Sequence, residues 1–202
     1  MLTWHATAAG EILNMVARPH LSISGVRRGR VRKPDPALLN GVVAHEVLEA
    51  MKAASVALRS AGIRHVVVGG LAVGANGFPR ATKGVDFLVG DEAFEHHAGG
   101  LVTLRAGVPF QVKGVAVDFI AADPTEGFLA VALEAEPGSF IEGPPLVYMK
   151  LKSPRHKDRT DVIELVKGGL DVDSCRAYLA TNAPSFVGDL EVAVARARAE
   201  EE

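Results

Sequence analysis

The stretch from His65 to Val89 constrains this chain more than any other part of it. Val66 to Val68 read as a buried apolar strand that runs straight into Gly69-Gly70. Leu71 to Ala75 suit a short helix starting directly after Gly70, and Val85 to Val89 read as a second strand, which carries Asp86. Thirteen residues separate Gly70 from Gly84-Val85-Asp86. Glycines at the strand end allow close backbone approach, and the helix that follows offers unpaired N–H groups. A carboxylate on the neighbouring strand then stands beside those donors. This is the arrangement that a triphosphate with its magnesium ion requires.

The rest of the chain supplies a context for that unit. From Leu38 to Arg59 the apolar residues Val43, Val47, Met51, Ala54 and Leu58 recur at helical spacing, and Gly62 closes the helix. Asp91 is positioned to cap a helix through His97, which Gly99-Gly100 end. Phe110 to Val112 and Val115 to Ile120 flank Lys113-Gly114, a hairpin pattern. Asp123-Pro124-Thr125-Glu126 begins a loop or short helix. Pro144-Pro145 opens a helix through about Lys152, and others are expected over Lys157 to Lys167, Asp173 to Leu179 and Gly188 to Glu202. These elements imply an α/β domain with a small mixed β-sheet flanked by helices and a helical C-terminal part.

A second block carries charge at regular spacing: Tyr148-Met-Lys-Leu-Lys-Ser-Pro-Arg-His-Lys-Asp-Arg-Thr-Asp161. Lys150, Arg155, Lys157, Asp158 and Asp161 form a basic turn buttressed by acids, suited to aiming a cation at phosphate. Read alone, Asp158 and Asp161 also fit acids near the positive end of a helix.

Together the two blocks resemble the nucleotidyltransferase superfamily, whose pattern is strand, Gly-Gly or Gly-Ser turn, a gap of this length, then acid–apolar–acid. The run Arg80-Ala-Thr82-Lys-Gly84-Val-Asp86 is similar to Arg-x-Thr-x-Asp-apolar-Asp of the AbiEii-like toxin branch, with Gly84 in place of the first acid. The resemblance spans roughly residues 42–168. It implies the nucleotidyltransferase fold and transfer of a nucleoside monophosphate from an NTP to a hydroxyl. Asp86 and Asp118 are then the ligands of Mg2+ (or Mn2+), with Asp118, in Val115-Ala-Val-Asp-Phe-Ile120, as the third acid of the family, placed to accept the hydroxyl proton. Gly69, Gly70, Arg80, Thr82 and Lys150 take the nucleotide, with Arg80 and Lys150 neutralising phosphate charge. The acceptor is RNA, as for toxins that modify transfer RNA, or a protein or small molecule, and an antitoxin is an expected partner. The alternative is a binding module of the same fold that has lost catalysis, because Gly84 supplies no ligand where the family has an acid.

Composition narrows the remainder. With 48% hydrophobic and 23% charged residues, the chain has material for a real core. No apolar run approaches the ~18 residues of a membrane span, and the N-terminus lacks a secretory pattern, so the cytoplasm is the expected location. Cys175 is the single cysteine, which excludes an intramolecular disulfide and any multi-cysteine zinc site. His96-His97 are adjacent and poorly placed to chelate one ion on a helix. Net charge is −2, yet residues 1–36 carry +4 and the remainder −6. The expected organisation is a basic extension over 1–36, a nucleotidyltransferase-like domain over 37–168 and a C-terminal helical segment over 169–202. The extension reads as a solvated arm or, on an acidic body, as a contact for RNA.

Overall fold

A computed structural model describes residues 33–123 and 125–201. The basic extension therefore lies almost wholly outside the described residues. The expected boundary at Pro34-Asp35-Pro36 is a built corner. The Asp35 carboxylate accepts from the Ala37 N–H at 2.9 Å and starts a 3-10 turn over Pro36–Leu39. The Asp35 N–H in turn donates to Ala75 at 2.7 Å.

Helix α1 spans His45–Ser60 and ends as its sequence dictates. Gly62 adopts φ +71, its N–H donates to Arg59, and the N–H of buried Ile63 reaches back to Leu58, the paired closure of a Schellman turn. The helix does not reach back to Leu38. Gly41 takes φ +75 and breaks the periodic run, so Val43 is buried from a turn rather than from the helix.

Strand β1 (His65–Val68) leads into α2 (Gly69–Ala75), which begins two residues earlier than expected, at Gly69. Strand β2 is Val85–Val89. The expected helix from Asp91 to His97 is absent. Asp91–Ala93 make a single 3-10 turn, and β3 (Phe94–His96) pairs antiparallel with β4 (Val102–Leu104). Gly99 and Gly100, both at positive φ, form the reversal between these strands rather than a helix end. Three-residue strands are too short to show a period, and this hid the hairpin. The other hairpin was legible. Between β5 (Gln111–Val112) and β6 (Val115–Ala121), Lys113 and Gly114 take φ +49 and +84, the two positive values of a type I′ turn.

The main sheet has the order β1-β2-β6-β5, with β2 and β6 parallel and the outer pairs antiparallel. The open edge of β1 is covered where Val67 exchanges backbone bonds with Ser139 and Ile141. The remaining helices are α3 (Gly127–Ala130), α4 (Gly143–Lys152), α5 (His156–Lys167), α6 (Val172–Asn182) and α7 (Val187–Ala199). The architecture is α/β, a small mixed sheet flanked by helices. No helix among the described residues is long and apolar enough to cross a membrane.

Strand alternation divides the sheet between two cores. Val67, Phe87 and Val117 pack with Leu39 and the α1 residues Val47, Ala54 and Leu58. Val66, Val68 and Leu88 pack with α4 to α7, so Cys175, Leu179 and Leu190 of the last two helices share one core with the sheet. Cys175 is a fully buried packing residue whose thiol is pushed up to about 12 by burial.

Candidate functional site

The alternation that builds the cores also selects the residues of the site. Val68 is paired with Asp86, and Asp86 with Asp118, in one row across β1, β2 and β6. All three therefore lie on the face that the C-terminal helices cover. In-register neighbours on adjacent strands have Cβ atoms ~5 Å apart, close enough for two carboxylates to share a cation. Asp118 is exposed, while Asp86 is partly buried.

Burial and the neighbouring Asp118 charge raise the Asp86 carboxyl above its ordinary range; Lys150, the Gly70 N–H and Arg155 act in the opposite direction. A carboxylate raised in this way costs stability as pH climbs through its folded-state value, because the folded protein then holds a charge that the unfolded chain solvates better. Asp86→Asn is thus expected to raise the melting temperature at neutral pH without metal and to abolish any stabilisation by magnesium. A variant that melts below the native protein, or that keeps the magnesium response, contradicts this reading.

Gly69 is required by this carboxylate. It sits at φ +62, and a Cβ built on it would stand 1.9 Å from Oδ2 of Asp86. At Gly70 a Cβ would meet Oγ1 of Thr82 at 2.9 Å, with Nη1 of Arg80 at 3.6 Å. The Gly-Gly turn, Thr82, Arg80 and Asp86 therefore lie side by side. Gly84 differs: its φ is ordinary and a Cβ would touch only the Ala116 carbonyl, at 3.4 Å.

Behind the acids lies a network of buried charge. Arg80 donates through Nε and Nη2 to the two oxygens of Asp161, both at 2.8 Å. Lys150 places Nζ 2.6 Å from Oδ1 of Asp158 and 2.8 Å from Oδ2 of Asp161. Asp158 also accepts from Ser153 at 2.6 Å and from Arg155 at 2.7 Å. Burial pushes the Asp158 carboxyl upward, but the bonds from Lys150, Ser153 and Arg155 outweigh it and leave the carboxyl below its usual range. Arg80 and Lys150, the two cations assigned to phosphate from sequence, are thus each held by Asp161. Their side chains are only 18% and 7% exposed. Arg80 keeps Nη1 at the glycine turn, and the Lys150 charge acts on Asp86. Arg155, with 77% of its side chain exposed, is the cation best able to move toward an anion.

A small cleft of about 60 Å³ contains Gly69, Asp86, Lys150, Arg155 and Asp158, walled by Ile120 and Met149. It adjoins a cavity of about 710 Å³ through the shared residues Ile120, Met149 and Arg155. The far wall of that cavity includes Phe94, His96 and Val102 of the unforeseen hairpin. Sequence reasoning also missed Glu126 on its floor, a buried carboxylate that accepts from Tyr148 and Lys152. The signal was faint: Tyr148 and Lys152 are four apart on α4, hence on one face. Asp91, five residues beyond Asp86, does not replace the acid missing at Gly84: it is bonded to His96 at 3.0 Å and lines the large cavity instead of the cleft at Asp86.

Among the described residues, no group of three or more His, Cys, Asp or Glu is placed to hold a metal ion. Two carboxylates nevertheless suit magnesium, which commonly takes one or two from protein and completes its shell with water and substrate phosphate. No family model matches the sequence. No curated protein matches it either. Among solved structures, an antigenic nucleotidyltransferase-like protein from Paracoccidioides brasiliensis is similar at 14% identity and a TM-score of 0.35, over 74% of this chain and 94% of that one.

Proposed function

We propose that the protein transfers a nucleoside monophosphate from a nucleoside triphosphate to a hydroxyl acceptor, with magnesium or manganese as the metal. The observation that carries this reading is the in-register pair Asp86–Asp118 beside a Gly69 that cannot bear a side chain. Asp86 and Asp118 would hold the cation, which supplies charge neutralisation at the phosphates. The glycine turn admits the triphosphate close to the backbone, with Nη1 of Arg80 and the side chain of Arg155 as its cations. Lys150 sets the field at Asp86 from its fixed place between Asp158 and Asp161. The acceptor oxygen attacks the α-phosphorus, the bond to the β-phosphate oxygen breaks, pyrophosphate leaves, and Asp118 takes the hydroxyl proton. The larger cavity, which shares Ile120, Met149 and Arg155 with the cleft, is the route for the acceptor. RNA, a protein or a small molecule remain the acceptor classes, and a toxin role with a partner antitoxin belongs to the same proposal.

Gly84 favours a second reading, a nucleotide-binding module without catalysis. Release of pyrophosphate from ribonucleotides with magnesium and total RNA or protein as acceptor separates the two, with Asp118→Asn as control. Binding without release supports the module; neither binding nor release removes both readings.

Gly84→Asp sharpens the test. The ordinary φ and the 3.4 Å contact mean the backbone accepts a side chain there. Gly84 stands in the bend just before β2, two positions from Asp86, so the new carboxylate enters beside the Asp86–Asp118 row. Magnesium affinity is expected to rise about tenfold, since one added hard oxygen ligand contributes on the order of 1–2 kcal/mol. Isothermal titration of the folded variant checks this. Unchanged affinity would remove Asp86 as a metal ligand.

A further inference from the structure

Helices α5 and α7 lie side by side with their C-terminal ends together, because Lys167 meets Glu200 at 2.6 Å. That pair is 33 positions apart. The same offset sets Asp189 level with His156, Val192 with Arg159 and Arg196 with Ile163. A groove opens between the two helices there, with a volume of about 170 Å³. It shares no lining residue with the cleft or the large cavity at the acids. Its floor is apolar, formed by Leu151, Ile163 and Ala193, and Val192 adds a side chain that is 68% exposed. Around that floor stand three basic groups from two helices, His156, Arg159 and Arg196, together with the hydroxyl of Thr160.

The charges are not cancelled from within. The Arg159 side chain has no ion-pair or hydrogen-bond partner among the described residues. Arg196 holds Glu200 through Nε at 3.1 Å, but Lys167 binds the same carboxylate. Asp158, in the first turn of α5, faces the other way and is taken up by Lys150, Ser153 and Arg155. No side chain caps the start of α5, so its first N–H groups add partial positive charge at the His156 end. The one carboxylate on the lining is Asp189, at that same end. Guanidinium groups match the oxygens of a phosphate, and a hydroxyl can donate a further bond. A phosphodiester chain needs a row of cations along its length. Here carboxylates stand at both ends of the groove, Asp189 and Glu200, so a single phosphate is favoured over a polymer.

We propose that this groove binds a small phosphate monoester, with the phosphate among Arg159, Arg196 and Thr160 and the organic part on Val192 and Ile163. The site stands apart from Asp86 and Asp118 and does not depend on the transfer chemistry proposed for them.

Four probes test it on the full chain without magnesium: phenyl phosphate, inorganic phosphate, phenol and a short single-stranded RNA, each followed by amide chemical shifts. Phenyl phosphate is expected to shift amides of residues 156–163 and 189–196 saturably, more tightly than inorganic phosphate or the RNA. Phenol is expected to show no saturation. Arg159→Ala should weaken phenyl phosphate about tenfold, and Asp189→Asn should tighten it by removing a like charge. Both side chains are exposed, so the two variants should melt with the native protein and report on binding alone. Saturation confined to amides of residues 69–86 would put the phosphate in the acid cleft and overturn the proposal. So would an affinity unchanged in Arg159→Ala, equal binding of phenol or inorganic phosphate, tighter binding of the RNA at these amides, and saturation by none of the four.

Discussion

Replacing Lys150 by alanine is expected to destabilise the protein by about 3–5 kcal/mol, the usual cost of removing one partner from a buried ion pair. The ammonium is the cation shared by Asp158 and Asp161, whose side chains are 3% and 2% exposed. Without it both carboxylates stay buried, with Arg80 and Arg155 alone to offset them. Urea denaturation should show a lower midpoint at unchanged slope. Lys152→Ala is expected to cost far less, because that side chain is half exposed where it meets Glu126. The pH dependence carries its own sign. Asp158 has a folded-state pKa below its unfolded one, so it contributes stability above the unfolded value of about 3.9 and loses it as pH falls through the folded value. Lys150→Ala should therefore differ most from the native protein at neutral pH and converge on it in acid. Adding Asp158→Asn to the variant should recover part of the loss. Equal midpoints for the native protein and Lys150→Ala would show that the network is not held together as drawn.

Gly69→Ala is expected to remove nucleotide and metal binding while leaving much of the fold. Its φ of +62 costs an L residue roughly 1–2 kcal/mol. The larger effect is local, because the new methyl would stand 1.9 Å from Oδ2 and 2.5 Å from Cγ of Asp86. Strand β2 is held between β1 and β6 and cannot retreat, so the carboxylate has to turn away from the row it shares with Asp118. Melting temperatures with and without magnesium and a ribonucleoside triphosphate give the readout. The native protein should be stabilised by the pair of ligands and Gly69→Ala should not. Gly69→Ala/Asp86→Ala should regain stability by relieving the overlap, yet stay unresponsive to ligand. Full ligand stabilisation of a folded Gly69→Ala would detach the glycine turn from the site.

The elements that the sequence determines by itself are those whose causes act within a few residues. The Schellman closure at Gly62, the type I′ turn at Lys113-Gly114 and the strand that ends in Gly69-Gly70 follow from local backbone preference. The same short range gave Asp86 and Asp118 their strand positions, and period two did the rest once those strands proved to be neighbours. The failures have the same origin. Nothing local distinguishes a three-residue strand from a helical turn, so the pattern from Asp91 to His97 reads as a helix across β3, and β4 carries no pattern that marks it.

Tertiary structure alone decided which charges meet. Arg80 and Asp161 are 81 positions apart, and Lys152 and Glu126 are 26 apart. A charged residue in a sequence shows that a partner is needed when it is buried, but not whether it will be buried. Packing of α4 and α5 onto the sheet withdrew Lys150, Asp158 and Asp161 from water and made them pair, leaving Arg155 exposed at the mouth. The cavities have the same status, since each is a volume enclosed by elements remote in sequence, and no residue pattern records the space between them.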